Sequence, residues 1–166
     1  MIISFGGPGN LKIQTGGTTI LTEGLNGEVS GRMKPDIFIR TRESSVLSQP
    51  KDKTPNAENI IHGPGEYEIK DIEITGLPDF VYLIKAEEIR LGLSGGKDVD
   101  ILFAPDTADG VKAIQQLHPK IVISSAGSYK ELEKGLGKKA EGLDKLVIKK
   151  KEIPTTPLSR IICLKV

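Results

Sequence analysis

The sequence has very few of the side chains that bind metals or form covalent crosslinks. Its 166 residues include one Cys and two His. A single Cys excludes a disulfide framework and a Cys-rich zinc site, and it fits a reducing compartment. Two His are too few for the His-rich clusters on which most metal-dependent hydrolases rely. Composition alone therefore argues against a metal centre of the usual kind.

Aromatic residues and net charge are also scarce. Trp is absent, aromatic residues make up 4% of the chain, and the formal net charge is +1. So small a positive excess argues against nucleic-acid binding by the whole chain. Residues 130–151 are locally basic but lack interleaved aromatics, which favours a solvated face. A weak nucleic-acid-binding module stays open as a second alternative.

Long apolar runs are missing as well. None reaches the roughly 18 residues that a membrane-spanning helix requires. Residues 1–7 lack the basic and then apolar pattern of a signal peptide. We expect no membrane association and a cytoplasmic location.

The composition and the pattern of apolar residues predict a folded chain whose first part is rich in β-strands. Apolar residues make up 37% and charged residues 27%, which allows a hydrophobic core. A chain of this length suits one domain, residues 1–166. Short apolar runs broken by Gly, Pro and Asn predict strands in the first hundred residues. These predicted strands are 2–5, 11–14, 18–22, 36–40, 59–62, 66–70, 72–75, 81–86 and 89–93.

The pattern changes near residue 100, where helical periodicity alternates with apolar strands. Ser128 and Glu131 have the spacing of a capping box at the start of the second helix. Residues 42–57 are polar and contain two Pro, so they predict a long loop. Layered sheets with helices outside are the expected architecture, of α/β (α+β) class. The later predicted strands are 100–104, 121–125, 146–149 and 160–165, and the predicted helices are 107–117 and 128–136.

Five segments carry a characteristic order of motifs. They are Thr-Gly-Gly-Thr-Thr-Ile-Leu at 15–21, Pro-Asp-Ile-Phe-Ile at 35–39, His-Gly-Pro-Gly-Glu-Tyr-Glu-Ile at 62–69, Asp-Ile-Leu-Phe-Ala-Pro at 100–105 and Leu-His-Pro-Lys-Ile-Val-Ile-Ser at 117–124. This order resembles small metallo-β-lactamase-fold proteins, in particular the short Zn-dependent hydrolase-like branch akin to the lactonase that opens a phosphorylated ascorbate ring. The likeness covers nearly the whole chain. It implies a four-layer αββα sandwich with helices on the outer faces.

The resemblance also implies where metal ligands would stand. Such proteins carry a Thr/Ser-His-x-His-x-Asp-His run after the strand that resembles 36–39. In this chain the aligned positions hold Arg42, Ser44, Val46 and Leu47. Relatives have Gly-Asp where this chain has Gly95 and Gly96, and a His where it has Ala126. The resemblance therefore implies a retained scaffold that has lost its dinuclear zinc site, since an arginine cation opposes a bound dication.

We accordingly predict a binding or assembly module with no catalytic residue and no cofactor. The candidate site is the former active-site rim, formed by residues 40–57, 94–98 and 124–128. The predicted ligand-binding residues are Arg40, Arg42, Ser44, Ser94, Lys97, Ser125 and Ser128. Because three of these side chains are cationic, we expect a small anionic ligand or an acidic protein partner. Relatives of this fold often assemble, so a homo-oligomer is a further expectation.

A metal-dependent hydrolase with unorthodox ligands is the alternative. In that interpretation Asp36, His62 and Asp106 are the candidate zinc ligands. The other histidine, His118, follows a predicted helix, where an imidazole interacts favourably with the helix dipole when protonated. It is interpreted as a structural residue.

Overall fold

Two β-sheets form the framework of the chain in a computed structural model. The structure describes residues 1–7, 10–23, 33–41, 55–124 and 129–165. One sheet has six strands in the order β13-β1-β2-β3-β4-β5. Its strands are β1 (Ile2–Gly7), β2 (Asn10–Thr15), β3 (Thr18–Thr22), β4 (Ile37–Arg40), β5 (Asn59–His62) and β13 (Lys145–Val147).

The other sheet has eight strands in the order β12-β14-β11-β10-β9-β8-β7-β6. Strands β6 to β9 pair antiparallel, whereas β9, β10, β11, β14 and β12 run parallel to one another. Its strands are β6 (Gly65–Ile69), β7 (Ile72–Leu77), β8 (Val81–Ala86), β9 (Ile89–Leu93), β10 (Ile101–Ala104), β11 (Ile121–Ser124), β12 (Glu141–Leu143) and β14 (Arg160–Leu164).

The main hydrophobic core lies between the two sheets. Both sheets contribute every second side chain to it, as the two-residue repeat of a strand requires. Ile13 and Ile39 enter from the six-stranded sheet, and Ile84 and Leu91 enter from the eight-stranded sheet; each is at most 1% exposed. Burial on this scale is the main source of the free energy of folding.

A second core lies on the outer face of the eight-stranded sheet, under helices α1 (Ala108–Leu117) and α2 (Lys130–Leu136). Ile114 of α1 and Leu132 of α2 pack there against Leu102 and Val122. Thr107 caps α1, because its hydroxyl accepts a hydrogen bond from the Gly110 N–H at 3.1 Å. Within the described ranges no α-helix covers the outer face of the six-stranded sheet.

The predicted class, an α/β structure of layered sheets with outer helices, is confirmed. Strands 18–22, 59–62, 81–86 and 89–93 have the predicted bounds. The predicted second helix begins at Lys130, without a side-chain cap from Tyr129. Ser128 lies outside the described residues, as do residues 42–54 of the predicted loop. None of the described helices is long and apolar enough to cross a membrane.

Candidate functional site

The carboxyl ends of the parallel strands of both sheets meet at one end of the molecule. Arg40 ends β4, and its register partner His62 ends β5. In the other sheet, Leu93 ends β9 beside Tyr82 of β8. The Tyr82 hydroxyl donates to the Arg40 carbonyl at 2.7 Å and accepts from the Gly63 N–H at 2.9 Å. These contacts define a strand-end cleft, the place where open α/β sheets commonly bind ligands.

Tyr82 is held as a neutral phenol at the base of this cleft. Its side chain belongs to the inter-sheet core and is fully buried. Burial raises the pKa of Tyr82, and the hydrogen bond from Gly63 opposes that rise. The proton therefore stays on the oxygen, where it serves the hydrogen bond to Arg40. This phenol positions the strand ends.

Arg40 points away from the inter-sheet core. Ile37 and Ile39 of β4 belong to that core, so the alternating Phe38 and Arg40 lie on the other face of the sheet. The Glu23 N–H donates to the Ile39 carbonyl at 2.8 Å, which continues the β3–β4 register and places buried Glu23 beside Arg40. The arginine thus stands at the strand end, on the outer side of the six-stranded sheet.

The structure does not bring the three alternative metal ligands together. Asp36 precedes β4, at the opposite end of that strand from Arg40. Its carboxylate accepts from the Thr19 N–H at 2.8 Å and from Lys70 Nζ at 2.7 Å, and the Lys70 contact lowers the pKa of Asp36. Asp106 accepts from the Leu132 N–H at 2.9 Å and so anchors α2.

His62 is exposed at the strand end, and its ring centroid lies 5.6 Å from that of Phe80. Within the described ranges no group of three His, Cys, Asp or Glu side chains could hold a metal ion. The described residues therefore do not fit a metal centre. His118, predicted to be structural, is exposed and adopts a left-handed conformation at the end of α1, where its N–H donates to the Ile114 carbonyl.

Residues 94–100 form an unusual crossover between the parallel strands β9 and β10. Two parallel neighbouring strands require a connection that brings the chain back to the end of the sheet where the first strand began. A helix usually supplies this connection. Here a short segment returns along the outer face of the eight-stranded sheet. The Ser94 N–H donates to the Phe103 carbonyl at one end, and the Asp100 N–H donates to the Arg90 carbonyl at the other.

Glycines allow this close return. A Cβ on Gly92 would clash with the Gly95 carbonyl oxygen, and one on Gly96 would clash with Leu83 Cδ2. Ser94 is exposed at the strand end, whereas Lys97 lies over the outer face of the sheet. Lys97 is therefore not brought together with Arg40. The remaining predicted site residues, Arg42, Ser44, Ser125 and Ser128, lie outside the described part of the chain.

Sequence reasoning missed an ion-pair cluster at the other end of the eight-stranded sheet. Asp100 is buried, and its carboxylate accepts from Lys120 Nζ at 2.7 Å and Lys150 Nζ at 2.9 Å. The Arg90 N–H donates to the same carboxylate at 3.1 Å. Burial works to raise the pKa of Asp100, but the two lysines outweigh it and lower the pKa. The sequence offered one signal for this cluster, which is the acidic Asp100 at the start of an apolar strand. A carboxylate buried at such a position needs cations or hydrogen-bond donors as partners.

Comparisons with known proteins show the fold. No family model matches the sequence, and no curated protein matches it. A Thermotoga maritima structure named as a Zn-dependent hydrolase of the metallo-β-lactamase superfamily matches over 100% of both chains, with a TM-score of 0.70 and 17% identity. A Parabacteroides distasonis structure named as a metal-dependent hydrolase matches with a TM-score of 0.60 and 18% identity, over 81% of this chain and 87% of that one.

The Bacillus subtilis metallo-β-lactamase-fold protein YhfI has a TM-score of 0.54 and 10% identity, over 98% of this chain and 93% of its own. The chain thus has the metallo-β-lactamase-like fold. One prediction from the sequence is wrong. A chain without any cofactor was expected, and that is contradicted because two of these structural neighbours are named for their dependence on metal.

Proposed function

We propose that this chain is a metal-dependent hydrolase of the metallo-β-lactamase type that acts on an anionic substrate at the strand-end cleft. The observation that carries the proposal is the match over the full length of both chains to a protein named as a Zn-dependent hydrolase. The convergence of strand ends around Tyr82 supplies a place for such a site. Arg40 lies at the end of β4 on the outer side of its sheet, so it favours a negatively charged substrate that extends past the strand end to that side.

The side chains available as ligands limit which metal ion the chain could bind. The chain has two histidines, and His62 is the one at the strand end. Outside the described ranges the carboxylate side chains are Glu28, Glu43 and Asp52, and Glu43 and Asp52 belong to the segment that follows β4. Carboxylate-rich sites suit Mg²⁺ or Mn²⁺ better than they suit Zn²⁺, which prefers nitrogen and sulfur ligands. Since the described residues do not themselves fit a metal, no catalytic step is assigned to it.

The test combines metal content with turnover. Protein purified without chelators is assayed for bound metal by mass spectrometry. It is then supplied with Zn²⁺, Mn²⁺ or Mg²⁺ and tested on chromogenic phosphodiesters, lactones and β-lactams. We expect one of these ions to bind stoichiometrically and to support hydrolysis of a charged substrate. The variant His62→Gln, at the strand end, should weaken both, whereas the matched variant His118→Gln, at the exposed histidine after α1, should keep both. Absence of bound metal and of turnover under every condition contradicts the proposal.

A second candidate function is binding or assembly at the same cleft without turnover. It is favoured by the lack of a three-ligand group among the described residues. An anionic ligand would then raise the melting temperature in a screen of phosphorylated and carboxylated compounds, with no product formed. An acidic protein partner or a second copy of the chain would be detected as a change in mass by light scattering. Retention on heparin that falls steeply with salt would instead support the nucleic-acid alternative.

A further inference from the structure

The outer face of the eight-stranded sheet carries a small basic cavity that is separate from the strand-end cleft. Its volume is about 150 Å³, and it is lined by Glu73, Thr75, Leu83, Ile84, Lys85, Arg90 and Lys97. We propose that this cavity binds the phosphate group of a small ligand, with Arg90 and Lys97 as its main contacts. The inference is independent of the hydrolase proposed above, since it uses neither a metal nor the strand ends.

The position of Lys97 is fixed by the crossover. Gly95 packs on Val81, and Gly96 packs on Leu83. Val81 and Leu83 alternate along β8 with Tyr82 and Ile84 of the inter-sheet core, so they lie on the outer face. The segment that carries Lys97 is therefore held against the sheet by close backbone contacts. The crossover thus fixes the backbone position from which the exposed Lys97 side chain reaches the cavity.

The basic side chains of this face differ in whether an acidic side chain binds them. Lys85 is bound by Glu73 at 2.7 Å. Lys120 and Lys150 are bound by Asp100. Arg90 and Lys97 are exposed, and neither side chain has a hydrogen bond or ion pair within the part of the chain that the structure describes. Two positive charges thus face the cavity without a bound acid, which suits a doubly charged phosphate.

The neighbouring charges favour this cavity over the larger groove beside it. That groove has a volume of about 770 Å³, and it shares Lys85 and Arg90 with the small cavity. Glu88, Asp98 and Asp100 also line it, together with His118, Lys120 and Lys150. Glu88 and Asp98 oppose an anion there, and neither forms an ion pair among the described residues, whereas the one carboxylate of the small cavity, Glu73, is already engaged by Lys85. Thr75 adds a hydroxyl that can donate to a phosphate oxygen.

Titration with inorganic phosphate, followed by two-dimensional ¹H–¹⁵N NMR at constant ionic strength, tests the site. Saturable shifts should appear in residues 83–99 of protein as purified, and they should persist after chelator treatment. The variant Arg90→Gln/Lys97→Gln should bind at least tenfold more weakly. Lys97→Arg should retain binding, and the matched surface variant Lys130→Gln should bind as the wild type does.

Three results would overturn the inference. One is equal binding by the double variant, a second is shifts confined to the strand ends around His62, and a third is no saturable binding. Recognition of an oligoglutamate peptide without recognition of phosphate would assign the face to an acidic protein instead. None of these outcomes depends on metal content or turnover, so failure of this site and failure of the proposed hydrolase are distinguishable.

Discussion

Tyr82 and Arg40 lie on different sheets, and the Tyr82 hydroxyl donates to the Arg40 carbonyl at 2.7 Å. The same oxygen accepts from the Gly63 N–H at 2.9 Å. One phenol on β8 therefore links the eight-stranded sheet to the end of β4 and to the turn after β5, both in the six-stranded sheet, where the cleft opens. The contact is specific to tyrosine, since phenylalanine fills the same core space without the oxygen.

Replacement of Tyr82 by Phe should therefore destabilise the chain while leaving the core packed. Two hydrogen bonds are lost, and a cost of about 1–3 kcal/mol in the free energy of unfolding is expected. Urea denaturation of Tyr82→Phe measures it. Tyr129→Phe, at an exposed tyrosine, is the matched control and should change the unfolding free energy little. Equal stability of the two variants would show that the sheets are spaced by other contacts.

Asp100→Asn should be more destabilising than a typical surface change. The substitution leaves Lys120 and Lys150 without their buried partner, at a cost of about 2 kcal/mol. Asp98→Asn, two residues away and exposed, is the control and should cost almost nothing. Thermal and urea unfolding of both variants measure the difference. Similar values for the two would mean that water replaces the carboxylate without loss.

The same carboxylate predicts a pH dependence of stability. The pKa of Asp100 is lowered in the folded state below its ordinary value of 3.8. Its contribution is therefore fully present above the pKa of the unfolded chain, and it is lost as pH falls through 3.8 toward the folded pKa. The stability difference between wild type and Asp100→Asn should be constant near neutral pH and shrink in acid. A difference that does not change with pH would contradict the ion-pair interpretation.

Gly92→Ala should disturb the crossover and, with it, the phosphate cavity. An added Cβ would meet the Gly95 carbonyl oxygen, a backbone atom that cannot turn aside. Overpacking of this kind costs about 1–3 kcal/mol. Gly142→Ala in β12 is a matched strand glycine whose Cβ would find its nearest neighbour at 3.4 Å, so it should be tolerated. Unfolding free energies and phosphate titration of both variants check the prediction.

Glu87→Gln should weaken the contact that holds the start of β1. The Glu87 carboxylate accepts from the Met1 amino group at 2.9 Å and from the Thr15 hydroxyl at 2.6 Å. Loss of the negative charge removes one ion pair, with an expected cost of about 1 kcal/mol because the carboxylate is partly exposed. Glu88→Gln, at the adjacent exposed residue, is the control. Chemical denaturation at low salt gives the clearest comparison.

The strands were largely predictable from sequence because their apolar residues repeat along short runs between turn residues. β12 was missed, since Glu141, Gly142 and Leu143 carry no alternating pattern and the strand forms by pairing with β14. The start of the second helix was also misplaced. The capping-box spacing of Ser128 and Glu131 suggested an earlier start, but the helix begins at Lys130.

The candidate site was less predictable, because side-chain direction depends on packing that the sequence does not state. Ser94 and Lys97 are three residues apart, yet only Ser94 stays at the strand end, because Gly95 and Gly96 turn the chain onto Val81 and Leu83. The grouping of Lys97 with Arg90 depends on that turn. The separation of Asp36 from His62 follows in turn from the parallel register of β4 and β5.

The placement of β13 has a consequence for how the chain folds. β1 pairs with β13, with Ile2 opposite Val147, and β12 lies in the other sheet a few residues earlier. β13 is the edge strand of its sheet, so a strand near the end of the sequence completes the pairing of the first strand. Pairings between such distant segments carry a high entropic cost of loop closure and slow the folding reaction. We expect slow refolding for a chain of this length, because β1 and β13 are separated by most of the sequence.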